Sequence, residues 1–187
     1  MRRPDRPIPP PTSHEVLRAA FDELHGPRLH GFALLLTMGD RERAARLAGA
    51  ALAAADSRTE ALRHPERAAA WLRARVVRGA GRGPRPRAEA APARTAILAS
   101  LGVDAATYAG LGVLAPRERA SIVAAVVERL DRRDVATIVG RDGAALDRLL
   151  VRARRRYMAA HADAAGDVAP HGPLVERLAA EAARAMR

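Results

Sequence analysis

Leu130 to Tyr157 reads LDRRDVATIVGRDGAALDRLLVRARRRY, and this stretch decides the fold. Val135, Ile138 and Val139 recur at helical spacing and predict a short helix, ended by Gly140 in the left-handed backbone conformation. Asp142 is the expected N-cap of a second helix, its carboxylate accepting backbone N–H groups at the positive end of the helix dipole. There Leu146, Leu149, Leu150, Ala153 and Tyr157 form an inward stripe, while Arg148, Arg152, Arg155 and Arg156 fall mainly on the other side. Two short helices joined by a tight turn, the second lined with arginine, can present hydrogen-bond donors to a DNA major groove as a helix-turn-helix does. An arginine face is equally the mark of a solvated helix. The chain has no lysine, asparagine or glutamine, so all 32 basic residues are arginine, and spacing alone leaves both readings open.

Outward from this stretch, 187 residues leave room for one domain or two small ones. The hydrophobic fraction of 49% is mostly Ala, Leu and Val, and only five residues are Phe, Tyr or Trp, so the cores must be small and built from closely packed helices. No stretch approaches the ~20 apolar residues of a membrane span. Met1 to Pro11 is polar and proline-rich, unlike a signal peptide. With no cysteine there are no disulfides or thiolate metal sites. A cytoplasmic protein with no membrane partner is the plain reading.

The net charge of +11 is unevenly placed. Residues 21–72 carry seven Arg against seven acids, whereas 131–157 carry eight Arg against four Asp and 78–94 carry five Arg against Glu89. Positive charge therefore gathers in the second half of the chain and just before it, where phosphates would be met.

The patterning predicts an all-α protein of two small helical domains joined by a flexible linker; no alternating β-branched run or Asn-Gly hairpin signal is present. Residues 1–11, with five prolines and three arginines, are expected to be a disordered tail. Residues 12–78 are expected to form a four-helix domain that starts at a Thr12-Ser13 cap. Its inward stripes are Val16, Leu17, Ala20, Phe21 and Leu24; then, after Gly26-Pro27, Leu29, Phe32, Ala33 and Leu36. The third is Ala44, Leu47, Ala48, Ala51, Leu52 and Ala55, and beyond a break at His64-Pro65 the fourth is Trp71, Leu72 and Val76. Residues 79–93 are the expected linker, since Gly79 to Pro92 is too rich in Gly and Pro to hold a helix. Residues 94–160 should hold the helix-turn-helix domain of four or five helices, including a stripe of Ile122, Val123, Val126, Val127 and Leu130. Residues 161–187 form a tail in which Leu174, Leu178, Ala182 and Ala185 make a weak amphipathic helix.

Enzymatic and metal chemistry find no support. The six histidines do not form the i, i+4 pair around a glutamate that a helical zinc site uses. No serine sits in a nucleophile elbow, and Gly79-Ala80-Gly81-Arg82-Gly83 lacks the preceding strand and the lysine of a phosphate loop. Neither a cofactor nor a metal is expected, and the chain is not read as an enzyme.

Leu130, Asp134-Val135-Ala136, Val139-Gly140, Leu146, Arg148-Leu149 and Arg152-Ala153-Arg154 resemble, without a gap, the promoter-reading region 4 of extracytoplasmic-function sigma factors. Leu114-Ala115-Pro116-Arg117-Glu118-Arg119 looks like the Leu-Pro-x-x-x-Arg that opens that region. Phe21 to Thr37, Gly39-Asp40-Arg41 with Ala44, and Trp71-Leu72 resemble the same family's region 2. Together these cover about residues 15–80 and 108–158. The resemblance implies core RNA polymerase and promoter DNA as partners, with an anti-sigma protein as a further candidate. It implies that Arg141, Ala144, Ala145, Asp147, Arg148 and Arg152 lie at the groove, with Arg132 and Arg155 toward phosphates. It places Arg46, Leu47, Gly49 and Ala50 where the family docks on polymerase. There the chain departs from the pattern, because the family's Asp-Leu-Val-Gln-Glu-like run is Arg46-Leu47-Ala48-Gly49-Ala50 here. A sigma factor-like initiation protein is therefore the first reading. A sigma-derived DNA-binding regulator without polymerase recruitment is the second, and a helical interaction module with merely solubilising arginines the third.

Overall fold

The computed structural model describes residues 12–56, 65–81 and 91–166, and every regular element among them is helical. Helix α1 spans Ser13–Leu36. Thr12 starts it as expected: its side chain accepts from Glu15 N, and the Glu15 carboxylate accepts from Thr12 N at 2.7 Å. Two N–H groups that the helix leaves without partners are thereby satisfied.

The expected break at Gly26-Pro27 does not occur, and the first two expected helices are one. A proline ring clashes with the Cβ of the residue before it when that residue is helical, but Gly26 has no Cβ to offer. What remains is one missing hydrogen bond and the crowding of the ring on the Glu23 carbonyl, outweighed by burial of Leu29, Phe32, Ala33 and Leu36 beyond it. Continuity also overturns the first stripe. Val16, Leu17 and Leu24 are 53%, 69% and 56% exposed, since one continuous helix does not turn back at Gly26-Pro27 to cover them. Phe21 is half-buried and His25 is buried.

Helix α2, Arg41–Asp56, opens with Asp40 Oδ1 accepting from Arg43 N at 3.0 Å. It buries Ala44, Ala48, Ala51 and Ala55, one small residue per turn, which lets neighbouring helices approach closely. Helix α3, Pro65–Ala80, packs on both α1 and α2 through Leu72 and Val76. The first half thus shows three helices among the described residues, where four were expected.

Helix α4 is Ala91–Ala99, and α5 is Ala105–Gly112 with Asp104 as its cap, accepting from Thr107 N at 2.6 Å. The segment expected to hold no helix is therefore helical at both ends. Gly79 and Ala80 belong to α3, where Ala80 is buried and its carbonyl accepts from Arg43 Nη2 at 2.6 Å, and Ala91-Pro92 opens α4. The rest of that segment, the two termini and the stripe at Leu174, Leu178, Ala182 and Ala185 lie outside the described residues.

Helix α6, Pro116–Ile122, widens into a π-helical turn over Val123–Val127. Glu128 N donates to Val123 O at 2.9 Å and Leu130 N to Ala124 O at 3.0 Å, so the helix ends before Leu130, which still packs half-buried against the core as the stripe predicts. The wide turn and the positive φ of Arg129 (54°) lead into α7, Arg132–Val139. Helix α8 runs over Gly143–Ala165, five residues beyond the expected end, with His161 buried beside the Tyr157 ring.

The buried side chains of both halves form one cluster, with α3 against α7 and α1 and α3 against α6. Helix α5 lies along α8, where a Cβ on Gly110 would come within 2.7 Å of the Tyr157 ring. That close approach anchors the long helix α8. Burial pushes the Tyr157 phenol up to about 12.

Candidate nucleic-acid interface

The α7–α8 turn is built locally. Asp131 caps α7 by accepting from Asp134 N at 2.8 Å. Gly140 ends the helix with φ 62° and ψ 44°, the left-handed conformation expected of it, and Arg141 N closes the turn on Ala136 O at 3.2 Å. Asp142 occupies the N-cap position of α8, but its side chain makes no capping bond. Its backbone carbonyl accepts from Leu146 N at 3.1 Å, while the exposed carboxylate stays in solvent.

Leu146, Leu149, Ala153 and Tyr157 turn into the core, with Leu150 half-buried beside them. At 3.6 residues per turn, the opposite line of α8 is Ala144, Arg148, Val151 and Arg155, all exposed. Arg148 and Arg155 make no ion pair or hydrogen bond among the described residues. Two flanks border this line. On the α7 side, Asp147 accepts from Arg132 at 2.6 and 3.0 Å, and Arg132 also reaches Gly143 O at 3.2 Å. The hydrogen bond from Arg132 holds the Asp147 carboxyl below the usual range. On the α6 side, Arg152 Nε donates to Glu118 Oε1 at 2.8 Å and Arg156 Nη1 to Oε2 at 2.6 Å. Glu118 itself is 5% exposed. Burial alone would raise its carboxyl, but the hydrogen bonds from Arg152 and the Ala115 backbone, with the Arg156 charge, bring it below the usual range.

The residues named from sequence thus divide. Arg148 and Arg155 stand on the outward line with Ala144, and Ala145 is half-buried next to them. Arg141 is exposed at the turn, donating to Gly140 O at 3.0 Å. Arg152, though 61% exposed, is oriented by Glu118; Arg132 and Asp147 are spent on each other. Sequence reasoning missed two members: Val151 on the outward line, and Glu118 beneath the arginine flank. The signal for Val151 was its place midway between Arg148 and Arg155 in the 3.6-residue repeat.

The second candidate surface lies on α2. Arg46 pairs with Glu42 one turn earlier, Leu47 is half-buried against the core, and Gly49 and Ala50 are exposed. On neighbouring α3, the Arg75 guanidinium sits 5.4 Å from the Trp71 ring centroid.

A cleft of about 730 Å³ between the halves is lined by Arg43, Arg119 and Arg156. Its positive charge is already answered. Arg119 donates to Leu36 O at 2.5 Å, Leu111 O at 2.8 Å and Leu114 O at 2.9 Å, at the C-terminal ends of α1 and α5. Arg43 meets the end of α3 through Ala80 O, and Arg156 meets the end of α5 through Val113 O at 2.5 Å. Each cation lies at the negative end of a helix dipole. Burial brings Arg119 down to about 10, which leaves it protonated at neutral pH.

Among the described residues no group of three or more His, Cys, Asp or Glu side chains could hold a metal ion, and no helix is long and apolar enough to cross a membrane. Comparison with family models, with curated proteins and with solved structures returned no match.

Proposed function

We propose that this chain is a cytoplasmic, sigma factor-like transcription initiation protein, not an enzyme, which binds core RNA polymerase and directs it to promoter DNA. In this reading α7 and α8 are the helix-turn-helix, and α8 reads the −35 element. The observation that carries it is the outward line of α8, with exposed Arg148 and Arg155 on a helix held by buried Leu146, Leu149, Ala153 and Tyr157. A helix anchored by its buried face, carrying guanidinium groups without partners among the described residues, suits direct contact with guanine O6 and N7 and with phosphates.

The polymerase contact has weaker support. Charge is reversed at Arg46 relative to the family, and Leu47 turns toward the protein's own core. This observation favours the second reading, a DNA-binding regulator derived from a sigma factor that no longer recruits polymerase. Reconstituted transcription with cognate core polymerase on genomic DNA separates the two, alongside duplex binding across a salt series. Promoter-specific transcripts support initiation. Steeply salt-dependent binding without transcripts or co-purifying polymerase supports the regulator. Duplex binding indifferent to salt would sink both.

A further inference from the structure

We infer that Val151 reads a thymine C5-methyl group in the major groove, beside the guanine that Arg148 reads; this rests on the DNA-binding reading above. Val151 is 61% exposed on the outward line of α8, between Arg148 and Arg155 and opposite the buried stripe. A branched apolar side chain there cannot pair with a phosphate and faces water in the free protein. In a major groove it meets the one apolar group that base edges present, the thymine methyl.

The composition sharpens this. The chain contains no asparagine or glutamine, the side chains that pair bidentately with adenine. An A·T pair can then be recognised directly through its methyl group far more readily than through adenine. Asp147, the nearby acceptor for a cytosine amino group, is held by Arg132 at 2.6 and 3.0 Å. What α8 offers the groove is therefore guanidinium and methyl groups. Arg148 and Val151 are three residues apart, about 4.5 Å along the axis at 1.5 Å per residue. One base-pair step is about 3.4 Å, so the thymine lies within one or two steps of the guanine.

The test uses the full chain and duplexes selected by it from a randomised pool. In the best-bound duplex each thymine is replaced in turn by uracil, which removes only the methyl group. One replacement, within two steps of a guanine needed by Arg148, is expected to weaken binding about fourfold, the worth of one buried methyl group. Val151→Ala should bind the thymine duplex weakly by a similar factor and no longer distinguish uracil. An unchanged melting temperature will show that the variant remains folded. Salt-dependent, sequence-selective binding that ignores every uracil replacement would overturn the inference and leave the DNA reading standing. A uracil effect that persists in Val151→Ala would also overturn it, by assigning the methyl contact elsewhere. Absence of salt-dependent duplex binding would overturn both.

Discussion

The junction between the two halves and the outward line of α8 use the same side chain in opposite ways. At the junction Arg43, Arg73, Arg119 and Arg156 are tied to carbonyls or carboxylates, and Arg73 and Arg119 are buried. On α8, Arg148 and Arg155 are exposed and donate to nothing among the described residues. In a protein whose basic residues are all arginine, composition cannot tell these uses apart. The acceptors can: a guanidinium with three carbonyls is structural, and one with none is available to a ligand.

The largest effect that can break this comparison is at Arg119. Replacing it with Met keeps much of the volume but removes the guanidinium donor from the Leu36, Leu111 and Leu114 carbonyls, leaving Leu111 O with Leu114 N at 3.3 Å. Several buried acceptors lose their partner at ~1–3 kcal/mol each, for a total near 4 kcal/mol. At ~2–4 °C per kcal/mol for a chain of this size, the melting temperature should fall by roughly 10 °C. A shift within 2 °C would show that these carbonyls find other partners and that the junction is not held as described.

Next comes the pair between α3 and the π-helical turn. Arg73 donates to both carboxylate oxygens of Glu128, at 2.6 and 2.8 Å, with side chains 7% and 19% exposed. Arg73→Leu strands Glu128 and should cost about 3 kcal/mol by chemical denaturation. The double variant Arg73→Leu, Glu128→Leu should recover most of that, because removing both charges removes the desolvation cost as well. Equal losses in the single and double variants would mean that packing, not the ion pair, dominates this contact.

These junction residues mark where sequence patterning stopped being informative. The pair of helices α7 and α8 with its turn was legible because its signals are local: the stripe from Leu146 to Tyr157, and Gly140, whose left-handed backbone ends α7. The Thr12 cap was legible for the same reason. The π-helical turn and the 55-residue separation of Arg73 from Glu128 have no local signature. Pro27 misled because Gly26 relieves its usual clash and the burial of Leu29, Phe32, Ala33 and Leu36, which periodicity alone does not weigh, holds the helix together. In the candidate site, periodicity separated outward from inward residues on α8. It could not show that Glu118, 34 residues before Arg152, orients that arginine, or that Asp147 engages Arg132.

The outward line predicts the converse of the junction. Arg148→Ala should change folding stability by no more than about 0.5 kcal/mol, as surface substitutions usually do. Yet it should relax the preference for guanine at one position by roughly 1–3 kcal/mol in competition binding. Arg155→Ala should instead weaken all duplexes alike, as loss of a phosphate contact does. Equal loss of affinity for every sequence in both variants would assign Arg148 to the backbone rather than to a base.

The smallest expected effect tests the boundary between the two uses of arginine, at Arg132 and Asp147. Both side chains are more than half exposed, at 57% and 54%, so the pair is expected to leave folding stability almost untouched. On the proposed DNA-binding reading, its expected consequence lies in affinity for duplexes. Asp147 places a negative charge beside the outward line and engages the guanidinium of Arg132 at the start of α7, which the proposed reading assigns to a phosphate. Asp147→Asn removes the repulsion and loosens the hold on Arg132 while keeping the side-chain shape. Affinity for duplexes of every sequence should rise at low salt, and the slope of log affinity against log salt should steepen by about 1, the signature of one added phosphate contact. Arg132→Ala in the same background should abolish that gain. If the slope steepens even without Arg132, loss of the Asp147 charge alone is responsible, and Arg132 belongs with the structural arginines of the junction.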